Sequence, residues 1–158
     1  MKPVKTNVMR ILEQHKIDYA SYTYGDGVTP VSGTEVADIL GKDPLNVFKT
    51  LVTVGRSGQH YVFVVPSCFE LDLKKAAEAA GEKNIEMVRS KELLPLTGYI
   101  HGGCSPIGMK KLFPTVVDVS AREIPKIVFS GGRIGCQVET APADLEKVVP
   151  LKYADIIE

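Results

Sequence analysis

The tightest constraint on this chain is a pair of apolar runs separated by a short polar gap. Phe48-Lys-Thr-Leu-Val-Thr-Val54 and His60-Tyr-Val-Phe-Val-Val65 flank Arg56-Ser-Gly-Gln59. Valine and phenylalanine favour strands, and a short Gly-containing gap between two such runs favours a hairpin. The runs are nearly continuous rather than alternating, as in strands buried on both faces. Lys49 is the odd member. A lysine inside a buried strand needs a carboxylate or a ligand anion to offset desolvation; at the wet end of a strand it can instead snorkel to solvent.

The flanking sequence alternates helix and strand signals. Val4, Val8, Ile11 and Leu12 fall at helical spacing, which predicts an amphipathic helix over 5–16. Tyr19-Ala-Ser-Tyr-Thr-Tyr24 reads as a strand ended by Gly25-Asp26-Gly27. Ser32-Gly-Thr-Glu35 fits a capping box for a helix that stops at Gly41, and Asp43-Pro44 opens a short turn. Asp72 can cap a helix over Leu73–Ala80 that ends at Gly81. A strand is expected over 84–88, then a helical turn from Ser90 to Leu94 that stops before Pro95. Strands are expected over 113–118, 126–130 and 134–139, with a turn or helix over 121–125. A last helix runs from Pro142 to Val148, and Leu151 onward reads as a tail docked on the surface. Together these signals describe an α+β protein with a mixed sheet closed or half closed into a barrel.

A length of 158 residues fits one domain, 1–158, with a real core. Lys+Arg and Asp+Glu both total 19, so overall charge cannot hold a nucleic acid; that needs a local basic patch. No apolar run approaches the roughly 18 residues of a membrane span, and the first residues lack an apolar signal core, so a cytoplasmic protein is expected. Three widely spaced cysteines, Cys68, Cys104 and Cys136, argue against a disulfide framework. His15, His60 and His101 have no metal-ligand spacing, so no metal and no cofactor is expected.

Chemistry concentrates in Thr97–Lys111, TGYIHGGCSPIGMKK. Gly102, Gly103 and Gly108 allow positive φ and close approach of a ligand to the main chain, and successive N–H groups in such a turn can cradle an anion or polarised carbonyl. Lys110 and Lys111 are expected to add positive charge at its rim. The alternative is an ordinary Gly/Pro loop between strands. His101 and Cys104 form a candidate nucleophilic pair without a third orienting group. GCSPIG is not a nucleophile elbow, which weakens Ser105 in that role. Electrostatic catalysis fits better: glycine-loop amides would hold a developing oxyanion, Lys49 a phosphate, and Ser130 in FSGGR would add a polar contact from the facing hairpin. Tyr24, at its strand exit, either offers a phenol to a ligand or packs half on the core.

Three segments together resemble a known family: Phe48-Lys49-Thr50-Leu51, Thr97 to Gly108, and Phe129-Ser130-Gly131-Gly132-Arg133, supported by Leu71–Lys75 and Thr23-Tyr24. The chain resembles the YbaK/EbsC aminoacyl-tRNA deacylases, freestanding relatives of the bacterial prolyl-tRNA synthetase editing domain. The resemblance implies a mixed, mostly antiparallel barrel-like sheet with flanking helices, no metal, and release of Cys wrongly attached to tRNA(Pro) or other cysteinyl-tRNAs. It implies that Lys49 binds the phosphate of the terminal adenosine, that Tyr24 and Thr50 line the same pocket, and that Gly102 and Gly103 contact the aminoacyl carbonyl. Ser105 and Ser130 would help position the substrate. Family members often carry an acid where this chain has Gln137, so a charge beside the substrate's amino group is absent here. With no protein nucleophile, the substrate's own thiol is the expected reactant, the alternative being a ribose hydroxyl that orients water. Other readings are a deacylase for a small amino acid such as Ala, and a non-catalytic module that binds aminoacyl-tRNA or a synthetase. Zero net charge implies weak tRNA affinity alone and recruitment through prolyl-tRNA synthetase. A monomer is expected.

Overall fold

The computed structural model describes residues 5–158. Val4, counted above in the first helical pattern, lies outside them. The helices are α1 (Asn7–Gln14), α2 (Gly33–Leu40), α3 (Leu73–Ala80), α4 (Ser90–Thr97) and α5 (Pro142–Leu145). The strands are β1 (Ala20–Thr23), β2 (Phe48–Gly55), β3 (His60–Pro66), β4 (Ile85–Met87), β5 (Thr115–Asp118), β6 (Ile127–Ser130), β7 (Cys136–Thr140) and β8 (Leu151–Ala154). Short 3-10 turns occupy Pro44–Asn46 and Val119–Glu123.

Two sheets form. One is antiparallel, in the order β1-β7-β6; the other is mixed, in the order β4-β2-β3-β5-β8. The β2–β3 hairpin pairs Lys49 with Val65 and Thr50 with Val64. Its two-faced burial is real and has a simple cause. Val62 and Val64 face the main core, shared with Phe129 and Val138 of the smaller sheet and Leu12 of α1. Phe63 and Val65 face a second cluster under α3, with Ala76, Ala77 and Ile156. α2 closes a third cluster with Val36 and Ala37 against Val47 and Val128. Among the described residues, the one β-bridge between the two sheets is the parallel pair Val47 and Val128; the rest of their contact is side-chain packing in the main core. The architecture is therefore α+β and mostly antiparallel as expected, but the barrel does not close.

Local chemistry sets the helix ends. Ser32 Oγ accepts from the Glu35 amide and donates to its carboxylate, at 3.3 and 3.0 Å. Asp72 Oδ1 accepts from the Lys74 and Lys75 amides. Gly41 and Gly81 stop their helices with left-handed φ of 67° and 74°. Two expectations need correction. α4 does not stop before Pro95 but runs through it to Thr97. Leu93 and Thr97 are buried on one face, and the Gly98 amide closes the end on Leu94 O at 2.8 Å. Proline costs one amide bond, and the anchoring on either side outweighs that loss. The segment from Leu151 is not a docked tail. It is β8, parallel to β5, pairing Leu151 with Thr115 through Ala154 with Asp118. Asp118 reinforces this by accepting from the Ile156 amide at 3.2 Å.

Candidate functional site

The start of β2, the glycine loop and the facing ends of β6 and β7 converge on one cavity of about 800 Å³, within the range of small-molecule sites. Lys49, Thr50, Gly102, Ser130 and Gln137 line it, with Ser32, Cys68, Glu70, Arg89, His101 and Cys104 also on its wall. Tyr24, Gly103 and Ser105 stand behind the wall. Tyr24 accepts from Gln137 Nε2 at 3.0 Å. Ser105 is fully buried, and its Oγ accepts from the Ile107 amide at 3.3 Å, so it braces the loop. Lys110 and Lys111 are not at the rim. Lys110 packs over Gly98 and Lys111 lies 5.9 Å from the Phe113 ring centre. The cations on the cavity wall are instead Lys49 and Arg89.

The glycine loop is shaped by close approach. Gly102 has φ of +90°, and a Cβ there would sit 2.9 Å from Pro30 Cβ. At Gly103 a Cβ would meet the Arg133 and Ile134 backbone at 3.0 Å. Main chain thus lies on main chain, which only glycine permits. The Gly103 amide donates to Ile100 O at 3.0 Å and is spent inside the loop, whereas the Gly102 amide has no acceptor among the described residues.

Thr50 Oγ1 and Gln137 Oε1 are buried and lack partners among the described residues. Buried polar atoms are normally bonded, so these two oxygens of cavity-lining residues are left unsatisfied. Ser130 Oγ accepts from the Gly132 amide at 3.1 Å. Lys49 Nζ lies 3.5 Å from Glu70 Oε1, with the lysine side chain 27% exposed and the glutamate 78%. Both readings of Lys49 hold in part: its side chain stays partly exposed although Val47 and Phe48 beside it are buried, and it has a carboxylate within reach. Sequence reasoning missed Glu70 because a partner 21 residues away in a turn leaves no periodic signal.

Cys104 is not a thiolate. Burial pushes its thiol up to about 12, against a smaller lowering by the Thr97 hydroxyl. At neutral pH roughly one molecule in 100,000 carries the nucleophilic form. His101 is exposed and forms no hydrogen bond to Cys104. Burial likewise raises the Tyr99 phenol to about 12. In the unfolded chain these two groups ionise near their ordinary values of 9 and 10. Between about pH 9 and 12 the unfolded state therefore holds fewer protons, and stability falls as pH rises through that window. Urea midpoints measured from pH 8 to 11 should decline, and Cys104→Ala should delay the onset by about one pH unit. The same variant should keep its catalytic rate at pH 7 within about twofold; loss of rate in a folded protein would restore the Cys-His pair.

An α+β scaffold thus brings the Lys49 ammonium and Gly102 to one cavity, whose buried Cys104 thiol stays protonated. Residues 31–148 match the family model of the aminoacyl-tRNA editing domain, and the chain belongs to that family. It is 45% identical over 152 residues to a protein of Enterococcus faecalis provisionally named Cys-tRNA(Pro)/Cys-tRNA(Cys) deacylase EbsC, covering 96% of this chain and 93% of that one. Among solved structures it resembles one provisionally described as a trans-editing enzyme for prolyl-tRNA synthetase, with a TM-score of 0.84 at 25% identity over 100% of this chain and 99% of that one. It also resembles a hypothetical protein, with a TM-score of 0.83 at 26% identity over 96% and 99% of the two chains.

Proposed function

We infer that this chain is a trans-editing deacylase that removes Cys from mischarged tRNA(Pro), and from other Cys-tRNAs, by using the substrate's own thiol. The observation that carries the reading is the cavity's mixture of groups. It has an ammonium, a loop amide and two unpartnered buried oxygens, but its one buried thiol is held neutral. Such a site orients and polarises; it does not attack.

Lys49 holds the phosphate of the terminal adenosine at the mouth. The Gly102 amide points at the ester carbonyl oxygen as it gains charge, a contact worth about 3 kcal/mol in comparable sites. Gln137 Oε1 accepts from the substrate's ammonium, its amide turned by the bond from Nε2 to Tyr24. Thr50 and Ser130 flank the ribose and ester. So held, the cysteine sulfur attacks its own carbonyl carbon. The C–S bond forms, the C–O ester bond breaks, and the thiol proton ends on the departing ribose oxygen. Water then opens the four-membered thiolactone to free cysteine. The protein contributes proximity and charge stabilisation.

The reading is tested by a deacylation panel of Cys-, Ala- and Pro-tRNA(Pro). Cys should be released at least about 100-fold faster than the other two. Equal release of Ala would make the chain a general small-residue deacylase, and binding without release would make it a recognition module. Zero net charge favours delivery of the substrate by prolyl-tRNA synthetase rather than tight capture of free tRNA.

A further inference from the structure

Lys49 already has an anion beside it. Glu70 is held by its backbone and free at its side chain. Its carbonyl accepts from the Glu158 amide at 3.1 Å, Leu71 bridges to Ile157, and the Asp72 amide donates to Ile156 O at 2.8 Å. The carboxylate itself is 78% exposed and reaches Lys49 Nζ at 3.5 Å. That is longer than a charge-assisted N–H···O bond of about 2.8 Å. A clamped main chain with a loose carboxylate is a tethered counter-ion, close enough to compensate the lysine and weak enough to leave.

We propose that Glu70 is a specificity-determining residue that competes with RNA phosphate for Lys49. The inference rests on Lys49 being the phosphate contact. An incoming RNA must displace the carboxylate, so every RNA end pays the same penalty, and only one that also engages the inner cavity through its aminoacyl group stays bound. Glu70 thereby weakens binding of the deacylated product and of the uncharged tRNA that outnumbers any mischarged species.

Binding of uncharged tRNA(Pro) to the full chain, measured between 50 and 200 mM salt, tests this. Glu70→Gln keeps the shape and removes the competitor. It should tighten binding about threefold, within the range of exposed ion pairs. It should also steepen the plot of log affinity against log salt by up to about 0.7, the single-strand value for one phosphate contact, because the lysine then meets the RNA with its charge uncompensated. In a Lys49→Ala background the same change should do nothing. Should Glu70→Gln leave affinity and salt slope at wild-type values while Lys49→Ala weakens binding, the counter-ion proposal is wrong and the phosphate assignment stands. Should Lys49→Ala itself leave RNA binding unchanged, the phosphate assignment is wrong and this proposal goes with it. If Glu70→Gln tightens binding equally in both backgrounds, the carboxylate acts by general repulsion and not through Lys49, which also overturns it.

Discussion

Lys49→Ala should lower kcat/KM for Cys-tRNA(Pro) about 100-fold. That corresponds to about 2.7 kcal/mol of lost transition-state binding, within the cost of truncating one partner of a charged contact. The argument begins with position. Lys49 is the second residue of β2, next to the buried Phe48, and shares a cavity wall with Gly102, Thr50 and Gln137. The side chain is partly exposed, and among the described residues its one ion pair is the long contact to Glu70, so folding stability should change little. Loss of activity with an unchanged urea midpoint would therefore report on the site. Lys49→Arg should recover part of the rate, because the charge returns in a larger, planar group. A Lys49→Ala variant within threefold of wild type would remove the phosphate contact from the mechanism.

Replacing the substrate's sulfur by oxygen should have the larger effect. Ser-tRNA(Pro) has the same backbone, ester and near-identical shape as Cys-tRNA(Pro), so it should bind the cavity about as well. A thiol near its ordinary value of about 8.5 is a few per cent thiolate at neutral pH, whereas a serine hydroxyl is essentially never ionised. Single-turnover release of Ser should thus fall at least about 100-fold while its binding stays within a fewfold. The rate for Cys should also climb with pH up to the substrate thiol's own ionisation, and Cys104→Ala should leave that climb intact, because Cys104 stays protonated up to about 12. Equal rates for the two substrates would remove the thiol and favour water oriented by a ribose hydroxyl.

What could be read from sequence divides along the range of the interactions involved. Ser32 with Glu35, the Asp72 cap and the Gly81 stop are legible in sequence because each cap bonds to residues within about a turn of itself. The β2–β3 hairpin was legible because its turn chemistry and apolar runs are adjacent in the chain. β8 was not: Leu151-Lys-Tyr-Ala is short, and its partner β5 lies parallel and more than thirty residues earlier, so no turn announces it. Pro95 misled because propensity ignores what Leu93 and Thr97 bury. At the site, the glycine loop and Lys49 stood out as residue types that a plain strand or turn does not need. Glu70 did not, and Lys110 and Lys111 were placed at the rim by adjacency alone. Nor does composition show that the Gly103 amide is already committed to Ile100.

The contact between Gly103 and the Arg133–Ile134 main chain has a further consequence. At Gly103 the loop is cast against a backbone mould, so its height there does not depend on the exposed side chain of Arg133. That side chain can drift without shifting Gly103, whereas the buried Ile134 side chain and Pro30 pack beside Gly102 and stay fixed with it. A protein built this way separates the part that must stay still from the parts that choose, which makes it a suitable starting frame for redirecting proofreading toward other amino acids.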